Sequence, residues 1–199
     1  MTILSLFPTR VMTASIDVDW NRDQVLERLD AYFKDQAETG VVVRNIHKEK
    51  VFEPLVNFMN AKVLEYWRVL DYDPGYPIEI NQMWANLYER NARYPHNLDN
   101  DSPAVVTCVF YVSKESVEQG NLFFADPNDL LIKTQPISAD RRYKNRYQEY
   151  DGRTGDMIFF PSWLQHGINP NNTDIPRLSI ACNYELKGLD MIKKVMAKK

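Results

Sequence analysis

The stretch GDMIFFPSWLQHGINPNNTDIPRLSIACNYEL, residues 155–186, decides the fold. It contains two segments rich in β-branched and aromatic residues, 156–163 and 177–186, separated by a turn-forming stretch of Gly, Pro and Asn. Alternation along the second segment predicts a small polar face and an apolar face. The polar face carries Arg177, Ser179, Ala181 and Asn183, and the apolar face carries Leu178, Ile180, Cys182 and Tyr184. We therefore predict a strand whose apolar face packs on helices and whose polar face lines a barrel interior that receives an anion.

Segments upstream of this stretch supply more strands and two helices. The strand-like segments are 79–89, 105–113 and 121–125. Before them, apolar residues recur every three or four positions from Trp20 to about Gln36 and from Glu49 to Leu70, which predicts two amphipathic helices. A short last helix is predicted over residues 188–199. Helices followed by strands, without regular alternation, predict an α+β fold: a barrel or sandwich with helices on one face.

Length and composition limit the classes of protein. The 199 residues predict a single domain over 1–199, with helical support over about 18–72 and a barrel core over about 78–186. A net charge of −3 and a pI of 5.7 make a nucleic-acid partner unexpected. The apolar run 105–112 is shorter than the roughly 18 residues of a membrane-spanning helix. Cys108 and Cys182 lie in apolar runs, as buried thiols do, and the start has no secretory pattern, so we expect a cytoplasmic protein. Oligomeric state is left open.

Three histidines are available for a histidine-based site. His47 lies in a polar connector and is interpreted as a surface residue. His96 and His166 each follow a strand, where a barrel presents side chains at its mouth. Together with a carboxylate, Asp99 or Asp101, they would form a two-histidine, one-carboxylate triad that holds one face of Fe(II).

Two further strands direct polar groups toward the same cavity as Arg177. Alternation groups Thr107, Val109 and Tyr111 on one strand, and Trp84, Asn86 and Tyr88 on another. A guanidinium with a neighbouring hydroxyl would bind a carboxylate through paired hydrogen bonds. In the alternative interpretation, the two tyrosines are half-buried sheet aromatics with their hydroxyls at the surface.

The segment 155–186, with VVTCVFYVSKESVEQGNLFFADP (105–127) and LSLFPTRV (4–11), resembles the 2-oxoglutarate, Fe(II)-dependent oxygenases, especially the small phage and bacterial group close to prolyl 4-hydroxylases. The resemblance implies a double-stranded β-helix, which is a jelly-roll, cupin-like barrel, with Fe(II) as cofactor and 2-oxoglutarate and O2 as co-substrates. It implies that His166 is the distal iron ligand and that Arg177 binds the distal carboxylate of 2-oxoglutarate, helped by Tyr111 and Ser179. We add Asn86 and Tyr88 to this predicted cofactor-binding set.

The proximal half of the metal site departs from the pattern of that family. The family spaces its proximal ligands His-x-Asp or His-x-His, whereas here His96 is followed by Asn97, Leu98 and Asp99, and a leucine cannot bind a metal. Alignment by the aspartate places Asn97 on the histidine position. We predict His96, Asp99 and His166 as the catalytic metal ligands, with Asp101 as the substitute carboxylate, brought together by a turn or bulge. Leu98 would fill the space in which related halogenases hold a halide, so a halogenase is not expected.

The predicted function is a dioxygenase that hydroxylates a C–H bond of a small-molecule or peptidyl substrate and releases succinate and CO2. The first alternative is a non-catalytic jelly-roll binding protein with a degenerate metal site, and the second is a cupin-like metal enzyme that does not use 2-oxoglutarate. The basic stretch 128–150 is interpreted either as a lid over the barrel mouth or as a solvated insertion. Loops decide specificity at such a mouth, so the sequence does not identify the substrate.

Overall fold

The computed structural model describes residues 8–34, 42–73, 75–97, 103–127 and 147–188, and over 42–44 and 94–97 it describes the backbone alone. Two α-helices lie near the start, α1 (Arg22–Lys34) and α2 (Glu53–Val69). The strands are β1 (Met12–Ser15), β2 (Val42–Arg44), β3 (Ile78–Tyr88), β4 (Tyr94–Asn97), β5 (Val106–Ser113), β6 (Leu122–Ala125), β7 (Tyr147–Tyr150), β8 (Asp156–Pro161), β9 (His166–Ile168) and β10 (Arg177–Leu186). Neither helix in these ranges is long and apolar enough to cross a bilayer.

The strands form two antiparallel sheets. The larger sheet has the order β1-β8-β5-β10-β3-β2, and the smaller has the order β4-β9-β6-β7. Strands that are distant in the chain therefore lie side by side, as β10 does between β3 and β5. Eight strands from β3 to β10 that divide between two sheets in this order form a jelly roll, which confirms the predicted fold.

The larger sheet has one face toward the helices and the other toward the smaller sheet. Cys108, Phe110, Ile180 and Cys182 belong to the core that includes residues of α1 and α2. The neighbours on the opposite face, Val109, Tyr111, Ile158 and Ala181, pack with residues of β6. Side chains of a strand alternate between faces, so one sheet covers the helical layer and closes the barrel interior at the same time.

The boundaries of several predicted elements differ from those observed. The segment 156–163 leaves the sheet after Pro161, and 50–52 forms a 3₁₀ turn ahead of α2. His96 lies within β4 and His166 begins β9, whereas both were expected in loops. Residues 147–150 of the proposed lid form β7, which pairs with β6. The rest of the proposed lid from 128, and residues 189–199 of the last predicted helix, lie outside the described residues.

Replacing Leu29 with alanine tests the helical layer. Leu29 of α1 is fully buried in the core that includes the larger sheet. We expect Leu29→Ala to lower the free energy of unfolding by about 2–5 kcal/mol, because the cavity adds to the lost burial. Leu64→Ala on the exposed side of α2 is the control and should change it by less than about 0.5 kcal/mol. Chemical denaturation measures both, and equal effects would contradict the inward placement of Leu29.

Candidate active site

The polar face predicted for β10 and the polar faces predicted for its neighbours β3 and β5 lie on the same side of the larger sheet. In register, Arg177 pairs with Tyr88, Ser179 pairs with Asn86 and Tyr111, Ala181 pairs with Trp84 and Val109, and Asn183 pairs with Gln82 and Thr107. Directly opposed residues of an antiparallel pair share a face. The three strands therefore present one continuous surface, with Arg177 at one end and Asn183 at the other.

Arg177 is a buried cation with few partners. Its side chain is 1% exposed, and its Nη1 donates to the Gly120 carbonyl at 2.7 Å. The guanidinium also stacks on the Tyr88 ring, 4.2 Å from its centroid. Its Nε and Nη2 are buried without a hydrogen-bond partner, and no carboxylate of the described residues forms an ion pair with it. Burial lowers the pKa of this guanidinium, yet arginine stays protonated in proteins.

Tyr111 brings a second unpartnered group to this end of the barrel. The residue is 2% exposed, and its buried hydroxyl has no hydrogen-bond partner in the described part of the chain. Burial raises the pKa of the phenol, so the hydroxyl is a neutral donor at physiological pH. Ser179 is buried directly opposite Tyr111, and the half-buried Asn86 lies opposite Ser179 on β3. An unpaired guanidinium beside a hydroxyl donor is suited to a carboxylate.

The loop after β5 holds the guanidinium in place. Residues 117–119 form a short turn that Ser116 caps, and the Gln119 amide donates to the backbone carbonyls of residues 175 and 176, just before Arg177. Gly120 follows with φ 87°, where a Cβ would lie 2.2 Å from the Asn169 carbonyl oxygen. Only glycine therefore fits the position whose carbonyl accepts from Arg177.

Two neighbours fix the position of the His166 ring at the start of β9. Its ring lies against Phe160, with centroids 4.8 Å apart, and its Nδ1 lies 2.9 Å from the Leu164 carbonyl oxygen. With the proton of a neutral ring on Nδ1, the lone pair lies on Nε2, the atom that can bind a metal ion. A backbone carbonyl that accepts from the second ring nitrogen is the usual support of a histidine ligand.

The backbone of β4 passes directly beside His166. Asn97 is the register partner of His166, and Tyr94 is the register partner of Ile168, so β4 contains one more residue than β9 over this interval. Such a β-bulge re-aims side chains and is common next to active sites. Of the other predicted ligands, His96 is described by its backbone alone, and Asp99 and Asp101 lie outside the described residues.

A polar group that the sequence-based site did not include lies at the His166 end of the surface. Thr107 Oγ1 donates to Asn183 Oδ1 at 2.9 Å and lies 2.9 Å from Ser162 Oγ. In register, Thr107 also pairs with Phe160, the residue against which the His166 ring packs. Alternation correctly placed Asn183 on the polar face of β10. Alternation alone could not predict that Thr107, Ser162 and Asn183 are joined by hydrogen bonds.

Comparison with known families identifies the fold and its chemistry. The model of a 2OG-Fe(II) oxygenase family matches residues 82–183, which span β3 to β10 and include Tyr111, His166 and Arg177. The chain belongs to the 2OG-Fe(II) oxygenase family. Fe(II), 2-oxoglutarate and O2 are the cofactor and co-substrates of this family. No curated protein matches the sequence.

Solved structures of low identity share the fold of this oxygenase. HygX from Streptomyces hygroscopicus with nickel and 2-oxoglutarate bound has 13% identity and a TM-score of 0.65, over 90% of this chain and 84% of that chain. AviO1 from Streptomyces viridochromogenes Tue57 has 18% identity and a TM-score of 0.64, over 90% of this chain and 91% of that chain. The non-heme α-ketoglutarate-dependent epimerase SnoN from nogalamycin biosynthesis has 16% identity and a TM-score of 0.64, over 92% and 84%. At these identities the likeness shows the fold alone.

The residues of this oxygenase fit 2-oxoglutarate. A five-carbon oxo acid has a distal carboxylate, and the buried Arg177 Nε and Nη2 and the Tyr111 hydroxyl are donors without a hydrogen-bond partner among the described residues. A buried cation without a counter-ion is costly, and a bound carboxylate would remove this cost. The orphaned donors therefore match the distal end of the co-substrate.

Gly152 sets the position of Tyr111 in the oxygenase. A Cβ at Gly152 would lie 2.2 Å from Tyr111 Cε2 and 2.7 Å from Tyr150 Cε1. We expect Gly152→Ala to displace the Tyr111 ring, to lower the free energy of unfolding by about 1–3 kcal/mol through overpacking, and to weaken 2-oxoglutarate binding about tenfold. Anaerobic calorimetric titration of the Fe(II)-loaded protein measures the affinity.

Tyr111→Phe is the matched background for this prediction. It removes the hydroxyl without overpacking, so Gly152→Ala should weaken binding far less when Tyr111 is already phenylalanine. Equal losses in both backgrounds would show that Gly152 does not act through the Tyr111 hydroxyl.

Proposed function

We propose that this protein is a 2-oxoglutarate-dependent dioxygenase that hydroxylates a C–H bond of a small-molecule or peptidyl substrate, with succinate and CO2 as co-products. The observation that carries the proposal is the set of buried, unpartnered donors on Arg177 and Tyr111, located in the barrel to which β9 brings His166. When bound, iron and 2-oxoglutarate supply the oxidising chemistry with O2. Epimerisation by SnoN shows that enzymes of this fold do not all hydroxylate.

Each residue has a role in this proposal. Arg177 and Tyr111 bind and orient the distal carboxylate of 2-oxoglutarate, with Ser179, Asn86 and Tyr88 around them. His166, His96 and Asp99 hold the iron, and Asp101 is the alternative carboxylate. The β-bulge between Tyr94 and Asn97 interrupts the alternation of side chains along β4. This supports the proposal that His96 and Asp99, which do not follow the i, i+2 spacing, reach the same metal.

The apolar interior between the two ends of the barrel excludes water. Val109, Ile158, Phe160 and Ala181 form it with residues of β6, and all four are buried. A dry interior strengthens the attraction between Arg177 and a carboxylate. We further propose that the chain acts as a single oxygenase domain in the cytoplasm, where Cys108 and Cys182 remain thiols.

The decisive experiment is an anaerobic titration of the purified apoprotein with Fe(II) and then with 2-oxoglutarate. We expect the weak visible metal-to-ligand charge-transfer band that appears when an oxo acid chelates iron. Succinate is the matched ligand control and should produce no band, because it lacks the keto group. No band with 2-oxoglutarate in folded protein with excess iron would contradict the proposal. If iron does not bind either, a non-catalytic jelly-roll binding protein is favoured; if iron binds without a band, a metal enzyme that does not use 2-oxoglutarate is favoured.

A further inference from the structure

Lys114, which follows β5, is the only buried lysine in the described part of the chain. Its ammonium donates to Asp151 Oδ1 at 2.8 Å and to Asn121 Oδ1 at 3.1 Å. Burial lowers the pKa of this ammonium and Asp151 raises it. A lysine is rarely fully buried unless it is paired, and here the pairing keeps the charge inside the protein.

The Lys114 ammonium and the Arg177 guanidinium contact two consecutive residues, Gly120 and Asn121. This part of the barrel, around Lys114, Gly120, Asn121 and Arg177, is called the corner below. Arg177 Nη1 donates to the carbonyl of Gly120, and Lys114 Nζ binds the side chain of the next residue, Asn121. Lys114 Nζ also lies 5.7 Å from the centroid of the Tyr111 ring. The nearby positive charges of Arg153 and, to a smaller extent, Arg177 lower the pKa of Lys114, as expected for cations close together.

The carboxylates around this corner are more exposed than the two buried cations, Lys114 and Arg177. Asp151 is 36% exposed and is shared with Arg153, whose Nη2 donates to its second oxygen at 2.6 Å. Glu149, which accepts from the Asn121 amide at 3.0 Å, is exposed. Solvent screens these negative charges, whereas the two buried cations are screened little. Among the described residues, this corner therefore holds two buried cations, Lys114 and Arg177, and its carboxylates Asp151 and Glu149 are exposed.

We propose that Lys114 is a specificity-determining residue: a second buried cation that makes the site prefer an oxo acid with a distal carboxylate over one without. This inference rests on the proposed use of 2-oxoglutarate. Lys114 is a positioning residue, because it acts through its field and through the Tyr111 ring, and Arg177 and Tyr111 make the hydrogen bonds.

The test compares two oxo acids of equal length, 2-oxoglutarate and 2-oxopentanoate, which lacks the distal carboxylate. Calorimetric titration of the Fe(II)-loaded protein under nitrogen measures both affinities. We expect Lys114→Met to weaken 2-oxoglutarate binding about tenfold and to change 2-oxopentanoate binding less than twofold, because only the first acid has a distal charge. Lys62→Met removes a lysine with the same chemistry from the surface of α2 and should change neither affinity.

Asp151→Asn tests the inference in the opposite direction and leaves Lys114 in place. It removes a negative charge from the corner, so 2-oxoglutarate should bind several-fold more tightly and 2-oxopentanoate should bind as before. This variant keeps the proposal testable if Lys114→Met does not fold.

The possible results separate this inference from the proposed function. Equal weakening of both acids by Lys114→Met would show a purely structural role and overturn the inference, as would unchanged affinities in both variants. Wild-type protein that binds the two acids equally well would also overturn the inference, because the site would then have no preference for a distal carboxylate. Wild-type protein that does not bind 2-oxoglutarate would instead overturn the proposed function itself.

Discussion

Arg177→Met is expected to weaken 2-oxoglutarate binding by roughly 30-fold to several thousand-fold, because truncating one partner of a buried, hydrogen-bonded charge pair costs about 2–5 kcal/mol. Fe(II) binding should persist, since Arg177 is not a predicted metal ligand. Without co-substrate, the midpoint of thermal unfolding should not fall, because the wild-type guanidinium is buried and none of the ion pairs among the described residues includes it. Titration calorimetry and thermal unfolding with and without 2-oxoglutarate measure these effects.

Arg90→Met is the matched control for the loss of Arg177. Arg90→Met changes charge and shape in the same way as Arg177→Met. The Arg90 side chain, however, is 58% exposed and pairs with Asp174 at the surface. Its loss should leave 2-oxoglutarate binding within about twofold, as surface ion pairs contribute little. Normal 2-oxoglutarate affinity in Arg177→Met would refute the assignment of the distal carboxylate site.

His166→Ala is expected to lower Fe(II) affinity by more than about 100-fold, since loss of a supporting partner of a ligand alone costs about 10- to 100-fold. The charge-transfer band with 2-oxoglutarate should disappear at iron concentrations that saturate the wild type. The cavity left by the ring is partly exposed, so the protein should remain folded. Anaerobic spectrophotometric titration and circular dichroism check both outcomes.

His47→Ala is the control for this experiment. His47 lies in a short turn ahead of α2 and is the other histidine with a described side chain. The His47→Ala variant should bind iron with the affinity of the wild type. Iron binding by His166→Ala at wild-type affinity would show that His166 does not hold the metal.

The long strands could be predicted from the sequence, and most of the short ones could not. Residues 177–186 coincide with β10, and the predicted strand at 105–113 differs from β5 by one residue. Strands β4, β7 and β9 have only three or four residues, too few for alternation to stand out from a loop. This is why His96 and His166 were expected in loops although they lie in paired strands.

Lys114 illustrates what a sequence pattern hides at the site. A lysine after a strand has the composition of a surface residue, and its burial depends on Asp151, which lies 37 positions later in the chain. The predicted partners of Arg177 followed from alternation on neighbouring strands, because faces are a local property. Pairing between distant charges is not local, so the charge of this corner could not be predicted.

By itself the sequence determined the element types, the division of the large sheet into an apolar and a polar face, and the residues Arg177, Tyr111 and His166 as candidates for chemistry. These follow from the period of two along a strand and from residue type. Only the tertiary structure decided that the donors of Arg177 and Tyr111 lack partners, that Lys114 is buried beside them, and that Asn97 lies across from His166. Such facts depend on strand order and register between segments far apart in the chain, which local patterns do not encode.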